Sequence, residues 1–253
     1  LKAAGYQAPT QVQSQTIPAI LKGCDVLVAA QTGTGKTACF AAPMLDILSK
    51  ASPPKSNHVK GLILSPTREL AIQLHQAIIG YGRYSGLHSA VVFGGVKINP
   101  QMMALRKGVH LLVATPGRLL DLYKHNAIAF NQLEIIVLDE ADKMMNLGFR
   151  GEINQILDVL PRQRQTLMLS ATLSPEIKSL ARAILQRPTE ITITPRKITP
   201  TKLKQRIICV DKKRKTELLV ELVKKHEWRQ ALIFTNTKKN ADRLVSVLSA
   251  AGN

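Results

Sequence analysis

Residues 25–37 combine the residue types that hold a phosphate group in proteins. They begin with the apolar run Val26–Ala29, which predicts a buried strand, and end in Gly-Lys-Thr, where a helical pattern starts. In such a segment glycines turn backbone N–H groups inward around an anion, Lys36 supplies positive charge for terminal phosphates, and the Thr37 hydroxyl can bind Mg²⁺. Ala30 replaces the first glycine of the general G-x-x-x-x-G-K-S/T pattern. We expect a nucleoside triphosphate as ligand; the flanking patterns disfavour the alternative, a glycine-rich turn without a ligand.

Two adjacent carboxylates follow a second apolar run. Ile135–Leu138 predicts a buried strand, and Asp139 and Glu140 come directly after it. Because successive side chains of a strand point to opposite sides, Asp139 can face the Mg²⁺ held by Thr37 while Glu140 reaches toward an attacking water. We expect the strands that precede Asp139 and Lys36 to be neighbours in the sheet. The alternative is an acidic turn without a catalytic role.

Short apolar runs separated by amphipathic stretches recur along the first three quarters of the chain. Runs without alternation are typical of strands that are buried on both faces, and helical patterns between them indicate βαβ units. The sequence therefore predicts an α/β fold, with a parallel sheet covered by helices. Besides the two runs above, the predicted strands centre on residues 62–64, 91–93, 111–113, 167–169 and 191–193.

Polar residues follow most of these runs, and the carboxyl ends of parallel strands share the edge of a sheet at which ligands bind. Arg68 and Arg118 are candidates for phosphate contacts, and Gly94-Gly95 would let a nucleic-acid backbone approach closely. For either arginine alone, a solvated surface charge is the competing interpretation. Ser170 and Thr172 can equally be capping hydroxyls.

The charge of the chain indicates a polyanionic partner. Its 35 Lys and Arg residues exceed its 17 Asp and Glu residues, for a net charge of +18. Aromatic residues make up only 4% of the chain, which disfavours a protein that stacks successive bases and favours contact with a sugar-phosphate backbone. No apolar run is long enough for a membrane span, and three widely spaced cysteines fit a reduced, cytoplasmic protein without a cysteine metal site.

The composition changes after residue 194. Residues 195–206 contain two prolines and no periodicity, which predicts a basic linker between a first domain, residues 1–194, and the start of a second, residues 207–253. Within the second part we expect strands at residues 207–210 and 232–235 and helices at residues 217–225 and 238–248. About 45 residues are too few for a whole domain, so we expect this second domain to be incomplete.

Taken together, these segments resemble the DEAD-box ATP-dependent RNA helicases. The likeness covers essentially the whole chain, and residues 92–103 and 210–218 resemble the bacterial RhlE branch in particular. The family also carries alanine at the position of Ala30. The matching segments are Gly5-Tyr6 with residues 9–13 (the Q motif), residues 30–37 (motif I), 66–71 (Ia), 115–118 (Ib), Asp-Glu-Ala-Asp at 139–142, 170–172 (III) and 232–237 (IV).

The resemblance implies a RecA-like domain that binds ATP and Mg²⁺. Tyr6 would stack on adenine, and the Gln13 amide would pair with the adenine edge and select ATP over GTP. Thr37 and Asp139 would hold Mg²⁺, while Lys36, Asp139 and Glu140 would be the catalytic residues. The segment expected to surround the phosphates is Gln31, Thr32, Gly33, Thr34, Gly35, Lys36 and Thr37.

The same resemblance implies a single-stranded RNA site and a route that couples it to the nucleotide. Asp142, Ser170 and Thr172 would form that route. Protein partners from RNA-processing or ribosome-assembly complexes, and a monomeric state without membrane attachment, complete the expectation. The residues expected to grip the RNA backbone, with the ribose 2′-OH as discriminator, are Pro66, Thr67, Arg68, Gly94, Gly95, Thr115, Gly117 and Arg118.

Two other functions stay open from the sequence. One is an ATP-gated RNA clamp that holds RNA without separating strands, and the other is a phosphate-loop enzyme that acts on a small molecule or protein. In the family, arginine fingers come from segments that would follow Asn253. We therefore expect this chain alone to bind ATP, and RNA weakly, with little hydrolysis.

Overall fold

The computed structural model describes residues 7–31, 33–193 and 206–250, and it divides the chain into two compact units, Leu1–Lys197 and Ile198–Asn253. Most of the predicted linker, residues 195–205, lies outside the described residues, as do Tyr6 and Thr32.

The first unit is built on a parallel sheet of seven strands in the order β3-β4-β2-β5-β6-β1-β7. Each predicted apolar run forms or overlaps a strand, which confirms the predicted α/β fold. The strands are β1 (Val26–Ala29), β2 (Val59–Leu64), β3 (Ser89–Val92), β4 (Val109–Ala114), β5 (Ile135–Leu138), β6 (Gln165–Ser170) and β7 (Thr189–Thr192).

One expectation about strand order was wrong. The strand that precedes Lys36 is β1 and the strand that precedes Asp139 is β5, and β6 lies between them. The phosphate-binding segment begins beside the end of β6: the Ala30 N–H donates to the carbonyl of Ser170, the last residue of β6, at 3.0 Å. Apolar character indicates that a strand is central but does not rank the central strands, so the sequence could not fix this order.

Helices cover both faces of the sheet because successive side chains of its central strands alternate between two apolar layers. In β2, Leu62 and Leu64 belong to one buried cluster and Ile63 to the other. The helices of this unit are α1 (Gln11–Leu21), α2 (Lys36–Ser49), α3 (Arg68–Tyr81), α4 (Asn99–Leu105), α5 (Pro116–Lys124), α6 (Ala141–Asn146), α7 (Arg150–Val159) and α8 (Pro175–Ile184).

Three of these helices begin at hydroxyl side chains that accept a hydrogen bond from the first turn. Thr10 caps α1, Thr67 caps α3 and Ser174 caps α8. The cap of α3 fixes the position of Arg68, the first residue of that helix, which follows β2 after the short segment 65–67. Helix starts therefore carry polar residues to the edge formed by the strand ends.

The second unit contains a short 3₁₀ helix, Lys212–Arg214, and the helices α9 (Lys215–Lys225) and α10 (Lys238–Ala250). Both helices lie where the sequence predicts them. The strands predicted at residues 207–210 and 232–235 are absent from the described structure, and that prediction was wrong. A strand exists through hydrogen bonds to a neighbouring strand, and neither segment has one among the described residues, where Ile207 and Phe234 are 95% and 87% exposed.

No helix among the described residues is both long enough and apolar enough to cross a membrane.

Candidate nucleotide and nucleic-acid site

Lys36 is a buried cation at the first position of α2. It follows Gly35, whose φ of 90° is accessible mainly to glycine, and only 7% of the residue is exposed. Its Nζ has no hydrogen-bond acceptor among the described residues. A buried ammonium without an acceptor is costly, so the position favours an anion brought by a ligand.

Asp139 is a buried carboxylate next to this cation. Its N–H donates to the Leu64 carbonyl at 3.0 Å, which continues the pairing of β5 with β2 by one residue. Burial raises the pKa of Asp139 to about 6, the charge of Lys36 opposes that rise, and the carboxylate of Glu140 adds to it. Burial disfavours the charged form of this carboxyl, and a second cation nearby would stabilise that form.

Glu140 occupies a left-handed backbone conformation, with φ of 51° and ψ of 49°. This conformation is uncommon for residues other than glycine, and it turns the chain sharply from β5 into α6. The Glu140 N–H donates to Asp139 Oδ1 at 3.0 Å, and Lys143 Nζ donates to Glu140 Oε2 at 3.1 Å. The first bond restrains the Asp139 carboxylate, and the second restrains the Glu140 carboxylate.

One cleft of about 440 Å³ joins the phosphate-binding segment to the two carboxylates. Lys36, Thr37, Asp139 and Glu140 all line it, so the structure brings together the four residues on which the predicted chemistry depends. Its remaining wall comes mainly from α3, which sequence analysis did not connect with the site. The other lining residues are Gly33, Gly35, Ala38, Leu70, Gln73, Leu74, Ala77 and Tyr81.

Gln13 connects α1 to the phosphate-binding segment. Its Oε1 accepts from the Thr10 N–H at 3.0 Å in a capping box, and its Nε2 donates to the Gly35 carbonyl at 3.2 Å. A Cβ at Gly35 would lie 2.6 Å from Gln13 Nε2, so this contact requires glycine. The adenine contact predicted for Gln13 stays a prediction, and the two bonds to Thr10 and Gly35 were not predicted.

A local hydrogen bond closes the phosphate-binding segment. Thr34 Oγ1 donates to the Gln31 carbonyl at 2.8 Å, and Gly33 has a φ of 83°. Gln31 and Gly33 are exposed, whereas Thr37 is partly buried. Gln31, Gly33, Thr34 and Gly35 therefore form one turn that leads into α2, and Lys36 and Thr37 are the first two residues of that helix.

Asp142 and Thr172 are joined across two elements. Both the N–H and the hydroxyl of Thr172 donate to Asp142 Oδ2 at 3.0 Å. Ser170, fully buried at the end of β6, donates from its hydroxyl to the Thr172 carbonyl at 2.7 Å. The three residues predicted to couple the two ligands thus form one hydrogen-bonded set, and their coupling role stays a prediction.

The predicted RNA-contacting residues fall into exposed and buried groups. Arg68, Gly94 and Gly95 are exposed, and Thr67 and Gly117 are partly buried. Pro66, Thr115 and Arg118 are buried. All of them follow β2, β3 or β4, three adjacent strands at one side of the sheet.

Arg68 lies over an aromatic ring. Its guanidinium carbon is 5.0 Å from the centroid of the Phe93 ring, within range of a cation–π interaction. Phe93 directly follows β3 and directly precedes Gly94. Arg68 therefore lies close to Gly94 and Gly95.

Arg118 is buried instead of presented to solvent. Only 8% of it is exposed, and its Nη2 donates to the Val96 carbonyl at 2.8 Å. Its Nε lies 3.8 Å from Asp121 Oδ2, the next turn of α5. A buried bond to a backbone carbonyl leaves no trace in residue type, so the sequence could not distinguish this arginine from Arg68.

Comparisons with known proteins agree with this geometry. A model of the DEAD/DEAH box helicase family matches residues 10–180. The DEAD-box ATP-dependent RNA helicase RhpA of Helicobacter pylori is 39% identical over 248 residues, which are 98% of this chain and 49% of RhpA. The ATP-dependent rRNA helicase rrp3 of Emericella nidulans is 41% identical over 249 residues, 98% of this chain and 53% of rrp3.

A third relative, the DEAD-box ATP-dependent RNA helicase CshA of Streptococcus pneumoniae, is 36% identical over 252 residues, 100% of this chain and 47% of CshA. The chain thus spans about half the length of the curated relatives it matches. Among solved structures, a hypothetical ATP-dependent RNA helicase from Sulfolobus tokodaii is similar with a TM-score of 0.69 and 37% identity, over 76% of this chain and 55% of that chain.

Proposed function

Because the chain belongs to the DEAD/DEAH box helicase family, we propose that it binds ATP with Mg²⁺ and forms part of an RNA-dependent ATPase that separates short RNA duplexes. The observation that carries this proposal is the cleft that Lys36, Thr37, Asp139 and Glu140 line together. A cation, a hydroxyl and two carboxylates are the groups that phosphoryl transfer from a nucleotide requires.

The residues of the cleft fit a magnesium-bound triphosphate. The buried Lys36 ammonium has no acceptor among the described residues, and Gly35, with its φ of 90°, brings the chain around to the start of α2 beside it. Thr37 and Asp139 supply the oxygen ligands that Mg²⁺ prefers, and the ion would neutralise charge on the phosphates. Lys36 would bind the terminal phosphates, and Glu140 would orient and deprotonate the attacking water.

Gln13 keeps the capacity to recognise adenine. A primary amide has two N–H donors and an oxygen that accepts two hydrogen bonds, and the contacts with Thr10 and Gly35 use one of each. One donor and one acceptor position remain for the purine edge. We propose that adenine recognition and the shape of the phosphate-binding turn share this side chain.

The RNA site of this proposal is the edge that follows β2, β3 and β4. The exposed Arg68 and the unobstructed Gly94 and Gly95 suit a sugar-phosphate backbone, and the net charge of +18 favours any polyanion. The relatives are named RNA or rRNA helicases, which supports RNA over DNA as the ligand.

ATP turnover with and without single-stranded RNA tests the proposal, measured on this chain and on the whole protein. We expect ATP binding by this chain with slow turnover, and turnover by the whole protein that RNA stimulates. Glu140→Gln should lower turnover by at least about 10²-fold, because general-base catalysis contributes about 10²–10⁴-fold, and should leave ATP-dependent RNA binding intact.

Glu176→Gln is the matched control, since Glu176 is an exposed carboxylate in the first turn of α8, remote from the cleft in sequence and absent from its lining. Turnover that RNA does not change, or that survives Glu140→Gln, would refute the proposal. Release of a labelled strand from a short duplex distinguishes a helicase from an ATP-gated clamp, which would hold RNA and release no strand.

A further inference from the structure

The segment that contains Gly94 and Gly95 is held at both ends by side chains. At its start, Gln101 forms a reciprocal pair with the Phe93 backbone: the Phe93 N–H donates to Gln101 Oε1 at 3.1 Å, and Gln101 Nε2 donates to the Phe93 carbonyl at 3.2 Å. At its other end, Arg118 donates to the Val96 carbonyl. We call residues 93–96 the glycine turn.

Gln101 takes the place of a neighbouring strand. β3 is an edge strand that pairs only with β4 among the described strands, and it ends at Val92. A side-chain amide offers a donor and an acceptor with the same spacing as a backbone unit, so Gln101 adds one rung of pairing beyond the end of β3. The backbone that leads into the two glycines is therefore fixed.

This fixation matters because glycines have the most conformational freedom to lose. Gly95 has a φ of 80°, and a Cβ added at Gly94 or Gly95 would meet nothing within 4 Å, so both residues face open space on that side. The bonds of Gln101 and Arg118 restrain the turn at its two ends. Without these bonds, each glycine would have to be ordered when a ligand binds, which weakens binding.

Arg118 is poorly placed to contact a phosphate itself. Its Nε and Nη1 are buried and find no hydrogen-bond partner among the described residues, and Nη2 is engaged by Val96. Arg118 differs from Lys36 because its guanidinium already has an acceptor, the Val96 carbonyl. The contact that the structure provides leads from Arg118 to the turn.

We propose that Arg118 and Gln101 are positioning residues that hold the glycine turn in the conformation that binds the RNA backbone, and that the Phe93 ring links the turn to Arg68. The inference rests on the proposed function for its ligand, and it assigns Arg118 an indirect role in place of the direct phosphate contact expected from the sequence. Gln101 and Phe93 are new members of the site.

Two measurements on Arg118→Met and Gln101→Met test the inference. NMR order parameters of the Gly94 and Gly95 amides in the RNA-free chain report the conformation of the turn, and we expect both variants to lower them. The second measurement is the affinity for a labelled single-stranded RNA, determined with Mg²⁺ and a non-hydrolysable ATP analogue over a series of salt concentrations. It shows whether Arg118 contacts the RNA directly or acts through the turn. We expect Arg118→Met, which loses one hydrogen bond to the turn, to weaken binding about tenfold at every salt concentration, and Gln101→Met, which loses two, to weaken it at least as much.

The slope of log Kd against log salt separates the two roles of Arg118. A lost phosphate contact lowers the slope for a single strand by about 0.7, whereas a lost positioning bond leaves the slope unchanged. Gln101 is uncharged, so Gln101→Met should likewise weaken binding without changing the slope. A double variant should weaken binding by less than the product of the two single effects, because both act on one turn. Lys97→Met is the control, since Lys97 is exposed and lies next to the turn; it should leave the order parameters unchanged.

Unchanged order parameters in both variants, or a slope that falls by about 0.7 in Arg118→Met with normal binding by Gln101→Met, would overturn the inference. Should the unmodified chain fail to bind RNA while the variants still loosen the turn, the proposed function would fail instead, and the RNA role of the turn with it. The order parameters thus keep the two failures apart.

Discussion

At the scale of single residues, the site is held in an unfavourable electrostatic state. Lys36 is a buried cation without an acceptor among the described residues, and burial raises the pKa of Asp139 to about 6 despite the nearby ammonium. Residues of this kind reduce the stability of the free protein and are stabilised by the ligand they bind. Sequence analysis identified both residues from their motifs, but burial of a charge depends on the assembled fold.

Replacing Asp139 by asparagine should therefore stabilise the nucleotide-free chain. The pKa of Asp139 rises from 3.8 to about 6 on folding, so carrying its charge opposes folding above pH 6. Asp139→Asn removes that charge and should raise the free energy of unfolding at pH 7.5 by about 1–3 kcal/mol. Thermal unfolding without nucleotide or Mg²⁺ measures the gain.

The pH dependence of this gain has a definite sign. The gain should be largest above pH 6 and should shrink as the pH falls toward 3.8, because the carboxyl is then protonated in the folded and increasingly in the unfolded state. Mg²⁺-dependent ATP binding should be lost in the same variant. A variant that is less stable than the unmodified chain at pH 7.5 would contradict this account of Asp139.

At the scale of elements, the fold was predictable where apolar runs are long enough to be buried on both faces. The runs at β1 and β5 define those strands to the residue. The apolar runs at residues 207–210 and 232–235 gave the same signal without forming strands, because pairing depends on a partner strand that residue type does not report. Bonds to backbone carbonyls, such as those of Gln13 and Arg118, were unpredictable for a similar reason: every residue offers that acceptor.

Asp25 shows how one carboxylate joins several elements. It lies directly before β1 and accepts from the Thr166 N–H in β6 and from the Gln186 N–H after α8, each at 2.7 Å. Asp25→Ala would leave both N–H groups without their partner, and we expect it to lower the free energy of unfolding by about 3 kcal/mol. Denaturant titration measures the loss.

Asp46→Ala is the control for this prediction. Asp46 is an exposed carboxylate on α2, paired with Lys50 at 2.7 Å within the same helix, and a surface pair of this kind contributes about 0.5 kcal/mol or less. If Asp25→Ala destabilised the chain no more than Asp46→Ala does, the joining role of Asp25 would be wrong.

At the scale of the whole molecule, the core belongs to one unit. Both clusters of buried apolar side chains lie within Leu1–Lys197, whereas the second unit has Val223 as its buried apolar residue among the described ones. The second unit instead exposes large apolar side chains, among them Ile207, Leu232 and Phe234. Stability of the first unit therefore should not depend on the second.

A chain that ends at Lys197 should fold on its own. We expect cooperative unfolding with a Tm within about 3 °C of the 253-residue chain, and unchanged ATP affinity, because the core and the cleft are retained. Removing the exposed apolar side chains should also reduce self-association, which sedimentation can measure. A loss of ATP binding on truncation would show that residues 198–253 contribute to the nucleotide site.

The Lys36 ammonium, which has no hydrogen-bond acceptor among the described residues, has a practical consequence for handling the protein. Sulfate and inorganic phosphate carry the charge and oxygen geometry that this position favours, and they will occupy it in proportion to their concentration. Nucleotide affinities measured in phosphate-buffered saline, or on protein purified by ammonium sulfate precipitation, will therefore be underestimated unless the competing salt is removed first.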